Sequence, residues 1–251
     1  MAKAVMAEGV PIVLALQDVE FKDQGDDYQS LRFAKAVANS AFTSKRYRDM
    51  FDIESTVIHP IMRESDYSVE NTGKSVTFIN PDPRKGLNIV IDVAQRCPSI
   101  PFLFVDGWPI DPEVRGHLAK RLASMPNVTY SRSVLDMRCV YRETRVLFAP
   151  SQWEEGYGRV ATEAQFSGIP VVASNRGGLP EAVGPGGVIL AADAPLEAWV
   201  DAVQSVWHDE TRYRELSLAA RSYSRRPQLD PDTQFALWES TLAAAATSHE
   251  S

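Results

Sequence analysis

The chain has 251 residues, 44% of them hydrophobic, and 26 Lys and Arg against 33 Asp and Glu give a formal net charge of -7. That length buries one large core or two small ones, and the negative balance argues against general binding to nucleic acid or an anionic membrane, since either surface repels such a chain at long range. Cys97 and Cys139 have no His or Cys cluster beside them; they fit neither a disulfide framework nor metal-ligand spacing and read as small buried hydrophobes in a reducing compartment.

Along the chain, Glu8 interrupts the first apolar residues and the run over 11–16 ends at Gln17-Asp18, which is not the pattern of a signal peptide. No apolar stretch reaches membrane-spanning length, so the expectation is a soluble cytoplasmic protein. A short unit comes first: a strand over 12–16, a helix around 30–38, a second helix after Ser44 and a strand over 56–59. From Ser75 onward, short apolar runs bounded by turn residues alternate with amphipathic segments, the sign of β-α-β units around a parallel sheet. The predicted strands cover 75–79, 101–105, 128–130, 146–148, 171–173 and 188–190; the predicted helices cover 87–94, 112–123, 136–142 and 160–166. Strands in that alternation predict an α/β fold with a doubly wound, Rossmann-like parallel sheet. Helices over 196–206, 211–223 and 233–245 follow, the last set off by the prolines of 225–231. This divides the chain into a reduced N-terminal portion over 1–62, a Rossmann-like unit over 63–226, and a C-terminal helix over 227–251 placed to cross back to the N-terminal portion.

The segment Pro150-Ser-Gln-Trp-Glu-Glu-Gly-Tyr-Gly-Arg-Val-Ala-Thr-Glu-Ala follows a strand and opens a helix, so its loop lies at the carboxyl edge of the sheet, where α/β proteins bind ligands. Gly156 and Gly158 keep that loop clear of side chains, and the helix start carries amides without internal partners, a fit for a diphosphate. Glu163 lies about five residues into the helix, roughly 7 to 8 Å from its positive end at about 1.5 Å per residue, within reach of ribose hydroxyls. Glu155 projects from the loop and suits the hydroxyls of a sugar. Taken singly, each glutamate reads as a solvated surface charge. A second glycine pair, in Asn175-Arg-Gly-Gly-Leu-Pro-Glu181 after the strand of Ile169-Pro-Val-Val-Ala-Ser, sets two flexible loops around one crevice and changes that reading.

These residues together, with Gly168-Ile-Pro-Val-Val-Ala-Ser and Gly177-Gly-Leu-Pro-Glu, resemble the retaining, GT-B-fold glycosyltransferases of family four. The family's Glu-x7-Glu pair falls on Glu155 and Glu163. The resemblance implies that Glu163 binds the ribose, that Glu155 binds the transferred sugar, and that the amides of Gly156, Tyr157, Gly158, Arg159 and Val160 hold sugar and diphosphate. Asn80-Pro-Asp-Pro-Arg-Lys-Gly86 is similar to the family's Gly-Arg-x-x-x-x-Lys-Gly segment. Lys85 falls on the lysine that neutralises charge developing on the leaving nucleotide diphosphate; Asn80 stands where an arginine is usual, with Arg84 the nearest replacement. The stretch 127–134 resembles the strand and loop that contact the base, with Val134 carried over and Arg132 where glycine is common. Tyr157 reads either as packing on the donor sugar or as a core tyrosine. The implied reaction is hexosyl transfer with retention and without a metal or cofactor, from a UDP- or GDP-linked sugar; the Asp230-Pro-Asp232 pair reads as a turn and helix cap.

Pro11 to Asp18 resembles the end of the family's first domain, and Ala36 to Ser44 its signature near the domain junction. The earlier half has no counterpart, and His59 and His117 do not fall where the family has a histidine near the sugar. The expectation is a truncated acceptor domain. An enzyme with a reduced acceptor domain, a chain completed by a partner or by its own oligomer, and a donor-binding module without transferase activity all stay open. The partner and oligomer readings expect an exposed apolar patch near residues 11–60. Paired carboxylates also serve glycoside hydrolases, but a phosphate loop and Lys85 have no part there, and no Gly-x-Gly-x-x-Gly follows the early strand to suggest an oxidoreductase.

Overall fold

The computed structural model describes residues 10–21, 33–107 and 112–247. Two parallel sheets organise them. The first joins β1 (Val13–Leu16), β2 (Lys35–Ala38) and β3 (Thr56–Val57) in that order, with Leu16 opposite Ala38 and Val37 opposite Thr56. The helix expected around 30–38 is corrected here: 35–38 is the central strand, and 30–32 lie outside the described residues. Alanine favours helix in isolation, but Ala36, Val37 and Ala38 are buried between two partner strands, and pairing overrides propensity. Helix α1 (Ala41–Phe51) begins before Ser44, because Ser40 caps it by accepting a bond from the Thr43 amide. Leu16, Ala36, Ala38, Tyr47 and Ile53 lie in the small core of this unit, and among the described residues its exposed large apolar side chains are Val10, Met50 and Ile61.

The second sheet has the order β6-β5-β4-β7-β8-β9, all parallel, built from β4 (Ser75–Ile79), β5 (Phe102–Val105), β6 (Val128–Ser131), β7 (Thr144–Ala149), β8 (Val171–Ser174) and β9 (Gly187–Leu190). Side chains alternate across it as a pleated strand requires. Val146 and Phe148 enter one core with Phe78, Phe104 and Trp199, while Leu147 enters the opposite one with Ala161, Ile169 and Val183. Helices α2 (Leu87–Arg96), α3 (Pro112–Leu122), α4 (Arg138–Glu143) and α5 (Arg159–Gln165) connect the strands, and each ends within about two residues of expectation, the usual uncertainty of helix ends. The turn expected over 175–181 continues into a short helix, α6 (Leu179–Val183), because Pro180 is tolerated in a first helical turn. After β9 come α7 (Leu196–His208), α8 (Glu210–Ser224) and α9 (Pro231–Thr247). Cys97 is buried, but Cys139 on α4 is exposed, a correction to its reading as a core residue.

Two features of this topology position the site. The strand order reverses between β4 and β7, so the loops leaving their carboxyl ends flank a crevice. Helix α9 returns to the first sheet, where the buried Gln234 donates from Nε2 to the His59 carbonyl at 3.0 Å. Among the described residues, no helix is long and apolar enough to cross a membrane, and no group of three His, Cys, Asp or Glu is placed to hold a metal ion.

Candidate functional site

The loop after β4 is tied to the loop after β7. Asn80 ends β4 in the left-handed region at φ 65°, a conformation asparagine tolerates, and it is buried. Asp82 then caps a single 3-10 turn, Pro83–Lys85, by accepting from the Arg84 amide at 2.8 Å. Gly86 follows at φ 89°, and a Cβ there would stand 2.2 Å from the Pro150 carbonyl oxygen, so only glycine lets the two loops meet. The Arg84 carbonyl accepts from the amides of Gln152 and Trp153 at 2.8 and 3.0 Å.

This junction brings Lys85 to Glu155. The ammonium lies 2.6 and 2.8 Å from the two carboxylate oxygens, and both side chains are about four-fifths buried (22% and 18% exposed). The Arg84 guanidinium bonds the Asp82 carboxylate at 3.1 Å and lies over the Trp153 ring, 5.0 Å from its centroid.

The loop 154–158 is held from behind by its carbonyls. The Gly178 amide donates to the Glu155 carbonyl at 2.7 Å, while the hydroxyls of Ser40 and Thr43 donate to the Gly156 carbonyl at 2.5 and 3.1 Å. In a planar trans peptide the C=O and the next N–H point in opposite directions. The amides of Gly156 and Tyr157 therefore face away from those donors, and neither has a hydrogen-bond partner among the described residues. Close backbone approach fixes the arrangement: a Cβ on Gly156 would stand 2.3 Å from the Gln17 carbonyl oxygen, one on Gly177 2.1 Å from that of Glu155, and one on Gly178 2.6 Å from that of Gly156. Gly158 at φ 98° then leads into α5, with Arg159 and Val160 in its first turn.

Glu163 is the fifth residue of α5 and is 7% exposed. The Tyr141 hydroxyl donates to its Oε2 at 2.8 Å, and Arg159 Nη2 lies 3.5 Å from Oε1. Burial pushes its carboxyl above the ordinary range, more than the Tyr141 bond and the Arg159 charge pull it down. A solvated surface glutamate describes neither Glu155 nor Glu163.

Tyr157 is seated in the core, its hydroxyl bonded to Thr162 Oγ1 at 3.0 Å and to Arg226 Nη2 at 2.9 Å, and of its two readings the core one fits. Val134 is half-buried on the loop after β6, and Arg132 beside it is exposed. Sequence reasoning placed Ser40 and Thr43 only within the junction signature over 36–44, gave His59 no ligand role, and gave Glu181 no separate one. The Glu181 carboxylate accepts from the Ala41 amide at 2.9 Å at the start of α1 and meets His59 Nε2 at 2.7 Å. Burial pushes its carboxyl up, but the bonds from His59 and from the Ala41 and Phe42 amides outweigh that and hold it below the ordinary range. Ser40 and Thr43 lie more than a hundred positions from Gly156, so no local pattern announces the contact.

With this geometry in view, the chain was compared with known proteins. A family model described as glycosyl transferases group 1 matches residues 70–223. The D-inositol 3-phosphate glycosyltransferase of Corynebacterium glutamicum is 33% identical over 138 residues, covering 53% of this chain and 30% of the relative. The protein of the same name from Rhodococcus erythropolis is 28% identical over 215 residues, covering 74% of this chain and 48% of the relative. The chain thus spans less than half the length of these curated relatives. The crystal structure of Anabaena Alr3699/HepE in complex with UDP-glucose superposes with a TM-score of 0.82 at 18% identity, over 97% of this chain and 77% of that one, and so shares the fold.

Proposed function

Because the chain belongs to the glycosyl transferases of group 1, with the GT-B α/β architecture, we propose that it binds a nucleotide-sugar donor in the crevice between the loops after β4 and β7 and transfers the sugar with retention of configuration. The observation that carries this reading is the row of outward amides at Gly156 and Tyr157 beside the Lys85–Glu155 pair. Fixed N–H groups next to a cation suit a diphosphate and the charge that grows on it as the glycosidic bond breaks.

In this reading Lys85 stabilises the leaving diphosphate, and Glu155 accepts bonds from hydroxyls of the transferred sugar. Arg159, 56% exposed and also donating to the Tyr67 hydroxyl at 3.1 Å, swings off Oε1 of Glu163, which then receives the ribose hydroxyls. Val134 packs on the base. The donor phosphate takes the acceptor proton on the face from which it leaves, a route that requires no metal, and the protein contributes positioning and charge stabilisation. UDP and UDP-glucose bound to the Anabaena protein support a UDP-linked donor. Asn80 in place of a cation favours a second reading, donor binding without transfer.

A thermal-shift panel of UDP, GDP, UDP-glucose and GDP-mannose tests the proposal, with Glu163→Ala and Lys85→Ala as controls. A ligand at about 100 times its Kd adds roughly 2.7 kcal/mol of stability. The expected result is a rise with one nucleotide series, lost in both variants. No rise with any nucleotide refutes the donor site; a rise without sugar transfer or donor hydrolysis selects the second reading.

A further inference from the structure

The Gly156 carbonyl is gripped by a part of the chain that the donor site does not otherwise need. Ser40 and Thr43 are both fully buried, and both hydroxyls end on that one oxygen. Ser40 also accepts the Thr43 amide at 2.9 Å, and for its own proton the Gly156 carbonyl at 2.5 Å is a closer acceptor than Thr43 Oγ1 at 3.1 Å. The carboxyl ends of β1 and β2 close the same contact. The Gln17 carbonyl sits where a Gly156 side chain would be, and Asn39 Nδ2 bonds that carbonyl at 2.6 Å.

We propose that Ser40 and Thr43 are positioning residues for the donor: their hydroxyl pair sets the plane of the peptide between Gly156 and Tyr157 and so aims the Tyr157 amide at the β-phosphate and the transferred sugar. The inference rests on the donor-binding reading above and adds what controls that site. The mechanism is the antiparallel geometry of a trans peptide. Glycine offers no side-chain resistance to rotation of that plane. Without the hydroxyls the plane is free to turn its carbonyl toward the anion, replacing an attraction with a repulsion. The effect is confined to the part of the ligand facing this peptide, so UMP, which lacks the β-phosphate and sugar, is insensitive to it.

Isothermal titration of UDP-glucose, UDP and UMP into the whole chain tests this, with melting curves for every variant. Thr43→Val removes one hydroxyl at nearly constant shape and leaves the Ser40 cap in place. Ser40→Ala removes the stronger donor and the cap; Ser40→Thr restores both. One lost hydrogen bond predicts a weakening of about three- to tenfold for UDP-glucose in Thr43→Val. Ser40→Ala should lose more, Ser40→Thr should return near wild type, and UMP should change less than about twofold throughout. Equal weakening of UMP and UDP-glucose, or no weakening of either, overturns the positioning role while leaving the donor site standing. If wild type binds none of the three ligands, nor GDP or GDP-mannose, the donor reading itself fails and this inference with it. Where Ser40→Ala melts below the assay temperature, the Thr43→Val ratio decides.

Discussion

Replacing Glu163 by glutamine separates what this residue costs the fold from what it gives the ligand. The carboxylate is 7% exposed, with one bond from Tyr141 and a longer contact from Arg159. Burial dominates, so its folded pKa stands above the ordinary value of 4.5. A raised carboxyl pKa means that the folded state binds the proton more tightly than the unfolded chain. Its favourable contribution is complete below about pH 4.5 and is lost as pH rises through the folded value. At neutral pH the ionised group therefore weakens the fold. Glutamine keeps the shape and still accepts from Tyr141, so Glu163→Gln should raise stability at pH 7 by about 1 kcal/mol, or roughly 2 to 4 °C in Tm for a chain of this size. The advantage should vanish as pH falls toward 4.5. In the proposed donor site the same change removes charge-assisted bonds to ribose, and it should weaken UDP binding by about 2 kcal/mol, roughly 30-fold. Melting curves from pH 4 to pH 8 and titration with UDP read both effects. A variant several degrees less stable at pH 7, or one binding UDP as wild type does, would falsify the argument.

Lys85→Met keeps the aliphatic stem and strands Glu155 in a site four-fifths buried; the ligand-free fold should lose about 1 to 2 kcal/mol in urea unfolding, and sugar transfer should fall by roughly 100-fold or more. Gly156→Ala drives a Cβ to 2.3 Å from the Gln17 carbonyl oxygen; it should destabilise the chain by about 2 to 4 kcal/mol and abolish UDP-glucose binding, and a wild-type Tm would sink the close-contact reading. Glu181 is the opposite case to Glu163. Its folded pKa is lowered, so its stabilisation is present above 4.5 and is lost as pH falls through the folded value. Glu181→Gln should be less stable than wild type at pH 7 by about 1 to 2 kcal/mol, and acid titration of the two melting temperatures should show that gap closing only below pH 4.5.

The larger sheet was legible because each strand carries its own signature. In β7 the alternation of Val146, Leu147 and Phe148 between opposite cores is written in three consecutive apolar residues, and turn residues mark the ends. The first sheet was harder to read, since Ala36-Val37-Ala38 is as compatible with a helix until β1 and β3 close on it. The loop residues from Pro150 to Glu163 were found because glycines and glutamates cluster there in sequence, and their roles come from family resemblance. The partners that orient them do not cluster. Tyr141 reaches Glu163 from another helix, Lys85 reaches Glu155 across two strands, and Ser40 and Thr43 reach Gly156 from the other sheet. Contacts made only by tertiary folding leave no local spacing to read.

The glycines explain why so small a loop suffices. At Gly86, Gly177 and Gly178, backbone meets backbone where any side chain would intrude, so the loops after β4, β7 and β8 support one another through main-chain contacts that vary little with side-chain motion. Donors fixed in this way need no reorganisation as charge develops on a leaving group, and that is where electrostatic stabilisation is strongest. The ion pair sets a further condition. Lys85 is paired with Glu155, so in the proposed donor site a bare diphosphate gains the cation only by leaving a largely buried carboxylate short of partners. On the proposed reading, a sugar attached to that diphosphate offers hydroxyls to Glu155 as Lys85 turns to the phosphates. On this proposal, the pair should therefore make the complete nucleotide sugar bind more tightly than the bare nucleotide.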